Sequence, residues 1–411
     1  MTPERALADA GDEQTKPGRL RGTARDAVTR VRSGDLGPTP VIVGLVIISL
    51  IFQALNPTFL SSTNLVNLTM QSAAVGTVAI GVALVLLLGE IDISVGSVSG
   101  LASAVLAVGY VQLELALPIV IAASVVSGAL IGLAFGVLRT RFGLPSFIIT
   151  LAGLLAVLGL QLFVLGKTGS INIPFDSWIV QFGQQWFLPA WASYLLIVVS
   201  VVCFGWLQVS HSLRRHAAGL TSTATVVIIA RSAALMIALL VAAWYLNLSR
   251  GVGVMFAVFV LLAVVMQYAL MRTAWGRSVY AVGGNVEAAR RAGIRVNRVY
   301  ISVFMLCSSF AALGGVFAAA RLAAANQGSG GADTNLNAIA AAVIGGTSLF
   351  GGRGSAFSAV LGILVIMSIT SGLTLINPDS SIRYMITGAV LLLAVVIDSL
   401  SRRSRAAAGR A

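Results

Sequence analysis

Charge is scarce in this sequence. Only 10% of its 411 residues are Asp, Glu, Lys or Arg, where a soluble domain carries about 25%. Polar groups cannot then cover an ordinary water-facing surface. Acid is scarcer than base: 14 acidic residues stand against 27 basic ones, a net charge of +13. In a soluble chain that excess would suggest nucleic acid. Here the arginines fall between apolar runs and at the ends, so the charge reads as membrane topology and no nucleic-acid partner is expected. The two cysteines, Cys203 and Cys307, both lie inside apolar runs, which argues against a structural disulfide. His211 and His216 stand isolated in a basic loop, and no Cys/His metal pattern exists. No GKS or GKT phosphate loop occurs, so any ATP-driven action needs a separate subunit.

What fills the sequence is hydrocarbon. Hydrophobic residues make up 57% of the chain and the mean hydropathy is +0.94. The 43 glycines and abundant alanine fit close helix packing in lipid, where small residues let backbones approach. An apolar run of about 20 residues crosses the hydrocarbon as a helix. The runs predict an all-α polytopic bundle of about twelve spans, with a range of 10–12: 40–55, 64–88, 95–112, 117–138, 146–165, 191–209, 223–246, 252–270, 299–320, 336–350, 356–375 and a last one ending near Leu400. The tenth is short and reads as broken or re-entrant. Residues 1–39 mix acids, arginines, Pro and Gly and read as a mobile cytoplasmic tail; 40–400 form one transmembrane domain; 401–411 form a second tail.

Alternation supports this assignment. With the N-terminus inside, the links at 139–145, 210–219 and 272–298 and the C-terminal tail all fall inside, and these carry the arginines. The links at 166–190, 247–251, 321–335 and 376–383 fall outside, and both termini are cytoplasmic.

Four constellations stand out. LVLLLGEIDISVGSVSG, 84–100, carries Glu90 and Asp92 between two apolar runs. A carboxylate at membrane depth is expensive and faces a bundle interior or a water path. Two positions apart, the pair does not share a helix face. One carboxylate can take backbone N–H groups while the other faces an arginine. Cation coupling or a substrate contact is the functional reading; a cap on the next helix, from Asp92 or Ser94, is the structural one.

The second is GGNVEAARRAGI, 283–294. Gly283, Gly284 and Asn285 predict a flexible turn and an N-cap, the following residues a two-turn helix, and Gly293 its stop. It reads as a docking helix for a cytoplasmic subunit, or as a surface helix that only closes a loop. The third, GGTSLFGGRGS at 345–355, resembles a phosphate loop only superficially and reads as a broken, closely packed helix, whose free N–H groups could also contact a polar solute. The fourth is a scatter of polar side chains in or near spans: Asn64, Asn67, Gln71, Ser146, Thr150, Gln161, Asn335 and Asn337. Such groups suit a polyhydroxylated solute or helix-to-helix hydrogen bonds.

With these residues laid out, the sequence resembles the permease subunits of bacterial ABC importers for monosaccharides, the ribose, arabinose, galactose and xylose group. GEIDISVGSVSG at 89–100, LPSFIITLAGLLAVLG at 144–159, GRSVYAVGGNVEAARRAGI at 276–294 and AAVIGGTSLFGGRGSAFSAVLG at 341–362 carry the resemblance. It is most similar to the xylose type, because 186–246 adds a basic loop and a helix pair that the shorter ribose type lacks.

The resemblance implies a multi-pass protein of the bacterial cytoplasmic membrane that imports a monosaccharide, D-xylose first among candidates. A second permease chain, in a homodimer or as a close homologue, completes the pathway. Two cytoplasmic ATP-binding subunits hold ATP and Mg, an extracytoplasmic binding protein delivers the sugar, and lipid surrounds the whole. This chain itself then carries no cofactor and performs no catalysis. The coupling segment maps onto Gly284, Asn285, Glu287, Ala288, Ala289, Arg290, Gly293 and Ile294. Competing classes are a proton- or sodium-coupled carrier, motivated by Glu90 and Asp92; a membrane enzyme, for which no nucleophile, base or metal set assembles; and a permease for export or for another small polar solute.

Overall fold

The computed structural model describes residues 39–377 apart from 221 and 223, and beyond them only 379, 381–382, 385–389 and 392. The N-terminal tail, most of the twelfth expected span and the C-terminal tail lie outside the described residues. Fourteen α-helices follow in order. They are α1 Thr39–Leu55, α2 Ser62–Leu87, α3 Val95–Ala107, α4 Leu117–Phe142, α5 Ser146–Leu165, α6 Trp178–Gln184 and α7 Ala190–Ala217. Then come α8 Thr225–Asn247, α9 Val254–Arg272, α10 Ala274–Gly284, α11 Val286–Arg291, α12 Val296–Leu322, α13 Ala332–Ile344 and α14 Ala356–Ile376. One π-helical turn, Val108–Gln112, continues α3.

Among the described residues nine helices are long and apolar enough to cross a membrane. They coincide with nine of the expected spans. The first span, α1, has 17 residues. The tenth is α13, of 13 residues; at about 1.5 Å per residue it reaches roughly 20 Å, too short for a hydrocarbon core of about 30 Å. It also begins earlier than the expected 336–350. Gly331 starts it and Asp333 sits in its first turn, where a carboxylate favours the helix N-terminus. The last four residues of the expected 321–335 link are therefore helical.

Side-chain size sorts the helices. α2 reads AAVGTVAIGVA through its middle, small on every side, and 89% of its apolar window is buried. It packs against α12, α14, α13 and α9. α12 in turn runs along α4 and α3. α7 and α8 are bulky and apolar with mostly exposed surfaces; they pair with each other at the edge, as lipid-facing helices do.

The links sort between two ends. The basic end carries Arg139, Arg215, Arg272 and Arg290 in the last turns of α4, α7, α9 and α11. At the opposite end Asn56 donates to the Leu375 carbonyl at 3.1 Å and Leu188 N–H to Val252 O at 2.9 Å. There too a two-stranded antiparallel ladder joins β1 Ser170–Asn172 to β2 Ala324–Asn326, with Ile171 opposite Ala325. No alternation around these residues is long enough to predict it.

Candidate functional site

Residues 90–94 are non-helical and lie between α2 and α3. An extended stretch at this depth must satisfy its own backbone, and side chains do so. Ile91 N–H donates to Ser146 Oγ at 3.4 Å and Ile93 N–H to Thr150 Oγ1 at 3.3 Å. The Ile93 carbonyl accepts from Asn335 Nδ2 at 2.6 Å. Three of the scattered polar residues thus converge on one segment.

The carboxylates diverge. Glu90 Oε1 accepts from Arg139 Nε at 2.9 Å and meets Nη2 at 2.7 Å. The Arg139 guanidinium also lies 5.1 Å from the Tyr300 ring centroid. Asp92 is fully buried. Its Oδ1 accepts from the Ser94 N–H at 2.8 Å and the Ser94 hydroxyl at 2.7 Å, a local turn that starts α3. The Cys307 thiol donates to Oδ2 at 3.8 Å. No local pattern pairs Arg139 and Cys307 with these carboxylates, because 49 and 215 positions separate them.

Above this segment two helix starts meet. A side chain on Gly330 would strike the Gly96 carbonyl, and Gly330 has φ +68°; only glycine fits there. The first turns of α3 and α13 therefore touch. Gln161 braces the approach to α13, donating to Asn326 O at 3.1 Å and Ser329 O at 3.0 Å. Thr150 lies four residues from the start of α5 and Gln161 four from its end. The meeting point sits between those levels, in the middle of the bundle. Gln161 Oε1 and Asn335 Oδ1 are buried there without a partner. Such orphaned acceptors are costly unless water or a ligand reaches them.

Asp333, in the first turn of α13, is exposed at this depth. It was passed over because its neighbours looked like an outer loop. Asn337, one turn on, is half-buried. On α2, Thr63, Asn67 and Gln71 repeat every four residues and keep one face polar; Asn67 is exposed and Gln71 half-buried. Asn64 is different: it donates to Phe59 O at 2.7 Å and accepts from Ser371 Oγ at 3.0 Å, tying α2 to α14.

At the basic end α10 and α11 form an elbow. Thr273 caps α10 by accepting from Gly276 N–H at 3.1 Å, and Asn285 caps α11 by accepting from Ala288 N–H at 2.9 Å. Gly293, φ +80°, ends α11, and Ile294 N–H returns to Ala289 O at 3.1 Å. Ala289 is buried, while Glu287 and Arg290 pair at 2.7 Å on the exposed face. Gly283 and Gly284 are not a flexible turn as expected. They close α10, and a side chain on Gly283 would strike the Leu87 carbonyl.

The 345–355 loop completes the lock. Gly352 N–H donates to Leu87 O at 2.9 Å and the Tyr280 hydroxyl to Gly354 O at 2.8 Å. Burial raises the Tyr280 phenol above its usual pKa, which keeps it a donor. The α2 terminus and the loop after α13 are therefore joined backbone to backbone, and the elbow is held to them by the Tyr280 hydroxyl and the close approach of Gly283 to Leu87. Among the described residues no cluster of His, Cys, Asp or Glu could hold a metal ion.

Comparison with known proteins bears on this arrangement. Residues 64–395 match the family described as branched-chain amino acid transport system / permease component. The xylose transport system permease protein XylH of Escherichia coli is 38% identical over 375 residues, covering 91% of this chain and 94% of that protein. XylH of Haemophilus influenzae is 32% identical, covering 91% and 99%. The ribose import permease protein RbsC of Escherichia coli is 30% identical, covering 87% and 92%. No solved structure matches the chain.

Proposed function

The chain belongs to the branched-chain amino acid transport system / permease component family, and on that footing we propose that it is the membrane-spanning permease subunit of an ATP-driven importer of D-xylose. Its near-full-length similarity to sugar permeases supports a monosaccharide over the amino acid in the family's description. It sits in the bacterial inner membrane as a multi-pass protein. In this reading the chain does no covalent chemistry. Two ATP-binding subunits dock on α11, a binding protein delivers sugar at the opposite end, and a second copy of this chain completes the pathway.

One observation carries the mechanism. Gly283 at the end of α10 is packed on Leu87, and Leu87 is bonded to Gly352. A push on the elbow then moves the end of α2 and the loop after α13 together. α13 leads straight to its contact with Ile93 at mid-depth. Closing of the ATP-binding pair is thereby converted into a shift of α13 against the start of α3, and sugar hydroxyls exchange water for Asp333 and the polar faces of α2 and α13.

A proton- or sodium-coupled carrier is not favoured. Glu90 is committed to Arg139 and Asp92 to Ser94 and Cys307. The test is radiolabelled D-xylose uptake into vesicles holding this chain, its ATP-binding partner and its binding protein, with internal ATP, with and without an uncoupler. Uptake that survives the uncoupler and is blocked by cold xylose is expected. Uptake without the ATP-binding subunit would overturn the proposal.

A further inference from the structure

The α7–α8 hairpin is tied to the body at the end away from the arginines. Far from the basic end, the Tyr245 hydroxyl donates to Leu60 O at 2.8 Å and Ser62 Oγ to Tyr245 O at 2.8 Å. Within the hairpin, Asn247 of α8 donates to Ser193 Oγ of α7 at 3.2 Å. Towards the basic end α7 parts from α9 and the start of α14. A cleft of about 1290 Å³ opens between them, larger than the roughly 300–1,000 Å³ of an ordinary small-molecule pocket.

Its walls are of two kinds. Phe204, Leu207, Val264 and Tyr268 face it from α7 and α9 with large exposed apolar surfaces. At the basic end the lining turns cationic and polar, with Arg215, Arg272 and His211 beside Gln208. Among the described lining residues none is a carboxylate. An aqueous sugar has no use for such walls. A soluble anion would gain from the arginines alone and leave the apolar length uncovered.

We propose that this cleft holds an anionic phospholipid of the leaflet at the basic end. Its phosphate rests against Arg215 and Arg272, and an acyl chain runs between α7 and α9. Basic pockets between membrane helices at the leaflet surface bind such headgroups. The lipid fills the gap that the hairpin leaves and braces it against the transporter body. The proposal does not depend on the identity of the cargo.

The experiment is native mass spectrometry of the full-length chain purified in detergent, stripped of lipid and titrated with phosphatidylglycerol or phosphatidylcholine. Selective retention of phosphatidylglycerol is expected. The Arg215→Ala/Arg272→Ala variant should lose roughly fivefold per arginine, about 30-fold together. Val264→Trp keeps both arginines but narrows the apolar wall, and it should lower phosphatidylglycerol retention as well. Equal retention of the two lipids by the unaltered chain overturns the proposal, whatever the variants do. So does unchanged binding in a folded double-arginine variant, displacement of the lipid by millimolar inorganic phosphate, or a photo-crosslink from position 268 to a second copy in place of lipid.

Discussion

Arg139 holds Glu90 at 2.7 Å, joining the last turn of α4 to the extended stretch between α2 and α3. Neither side chain is more than about a quarter exposed: 28% for the arginine and 12% for the glutamate. A charge at this depth needs its partner, because removing one leaves the other desolvated and unpaired. The pair also fixes where the backbone leaves α2.

Breaking that pair should destabilise the protein before it touches transport. Glu90→Gln is expected to lose about 1.5–3 kcal/mol, the scale of a hydrogen bond to a charged group. Thermal unfolding in detergent, followed by size exclusion, reads it. The exchange Glu90→Arg with Arg139→Glu should recover part of the loss. A Glu90→Gln protein as stable as the parent would mean the pair is idle.

Gly283→Val should separate folding from coupling. The added side chain meets the Leu87 carbonyl, and relief requires a backbone shift that costs about 1–3 kcal/mol. ATP-binding subunits should still co-purify, since α11 is untouched, while sugar uptake falls strongly. Full uptake would show that the α10–α2 contact transmits nothing.

Asp333→Asn addresses the pathway. The substitution keeps size and removes charge at an exposed position. Stability should change little, whereas the sugar concentration for half-maximal uptake should rise about tenfold, one charged hydrogen bond's worth. Asn64→Ala is the contrast: its amide joins Phe59 to Ser371, so the protein should unfold at lower temperature. Identical uptake curves for the parent and Asp333→Asn would remove this residue from the sugar's path.

Glu287→Arg tests the docking surface. Glu287 and Arg290 face outward on α11, and their mutual ion pair is worth little by itself. Membrane insertion should be normal, with co-purification of the ATP-binding subunits reduced. Normal recovery and normal stimulated hydrolysis would place docking elsewhere.

Much of the fold was legible because lipid demands long apolar runs, and those runs are read directly. α2, α4, α5, α9 and α14 lie close to their expected limits. The site was legible only in part. That Asp92 is followed by a helix is local information, and the turn with Ser94 is visible in the sequence. Its thiol partner, Cys307, and the bond from Asn335 to Ile93 join distant positions that no local pattern links. α13 was misplaced for a physical reason: polar residues such as Asp333 and Asn335 look like loop when burial against α3 cannot be seen.

The meeting of α3 and α13 has a consequence for how the protein is made. Asn335 bonds to a carbonyl 242 positions earlier in the chain. Until synthesis reaches α13, the Ile93 carbonyl lacks that partner. The first half of the protein must therefore wait in the bilayer, incomplete, for most of translation. A chain that stops before Gly330 leaves the Ile93 carbonyl without the Asn335 amide and the start of α3 without its glycine seam.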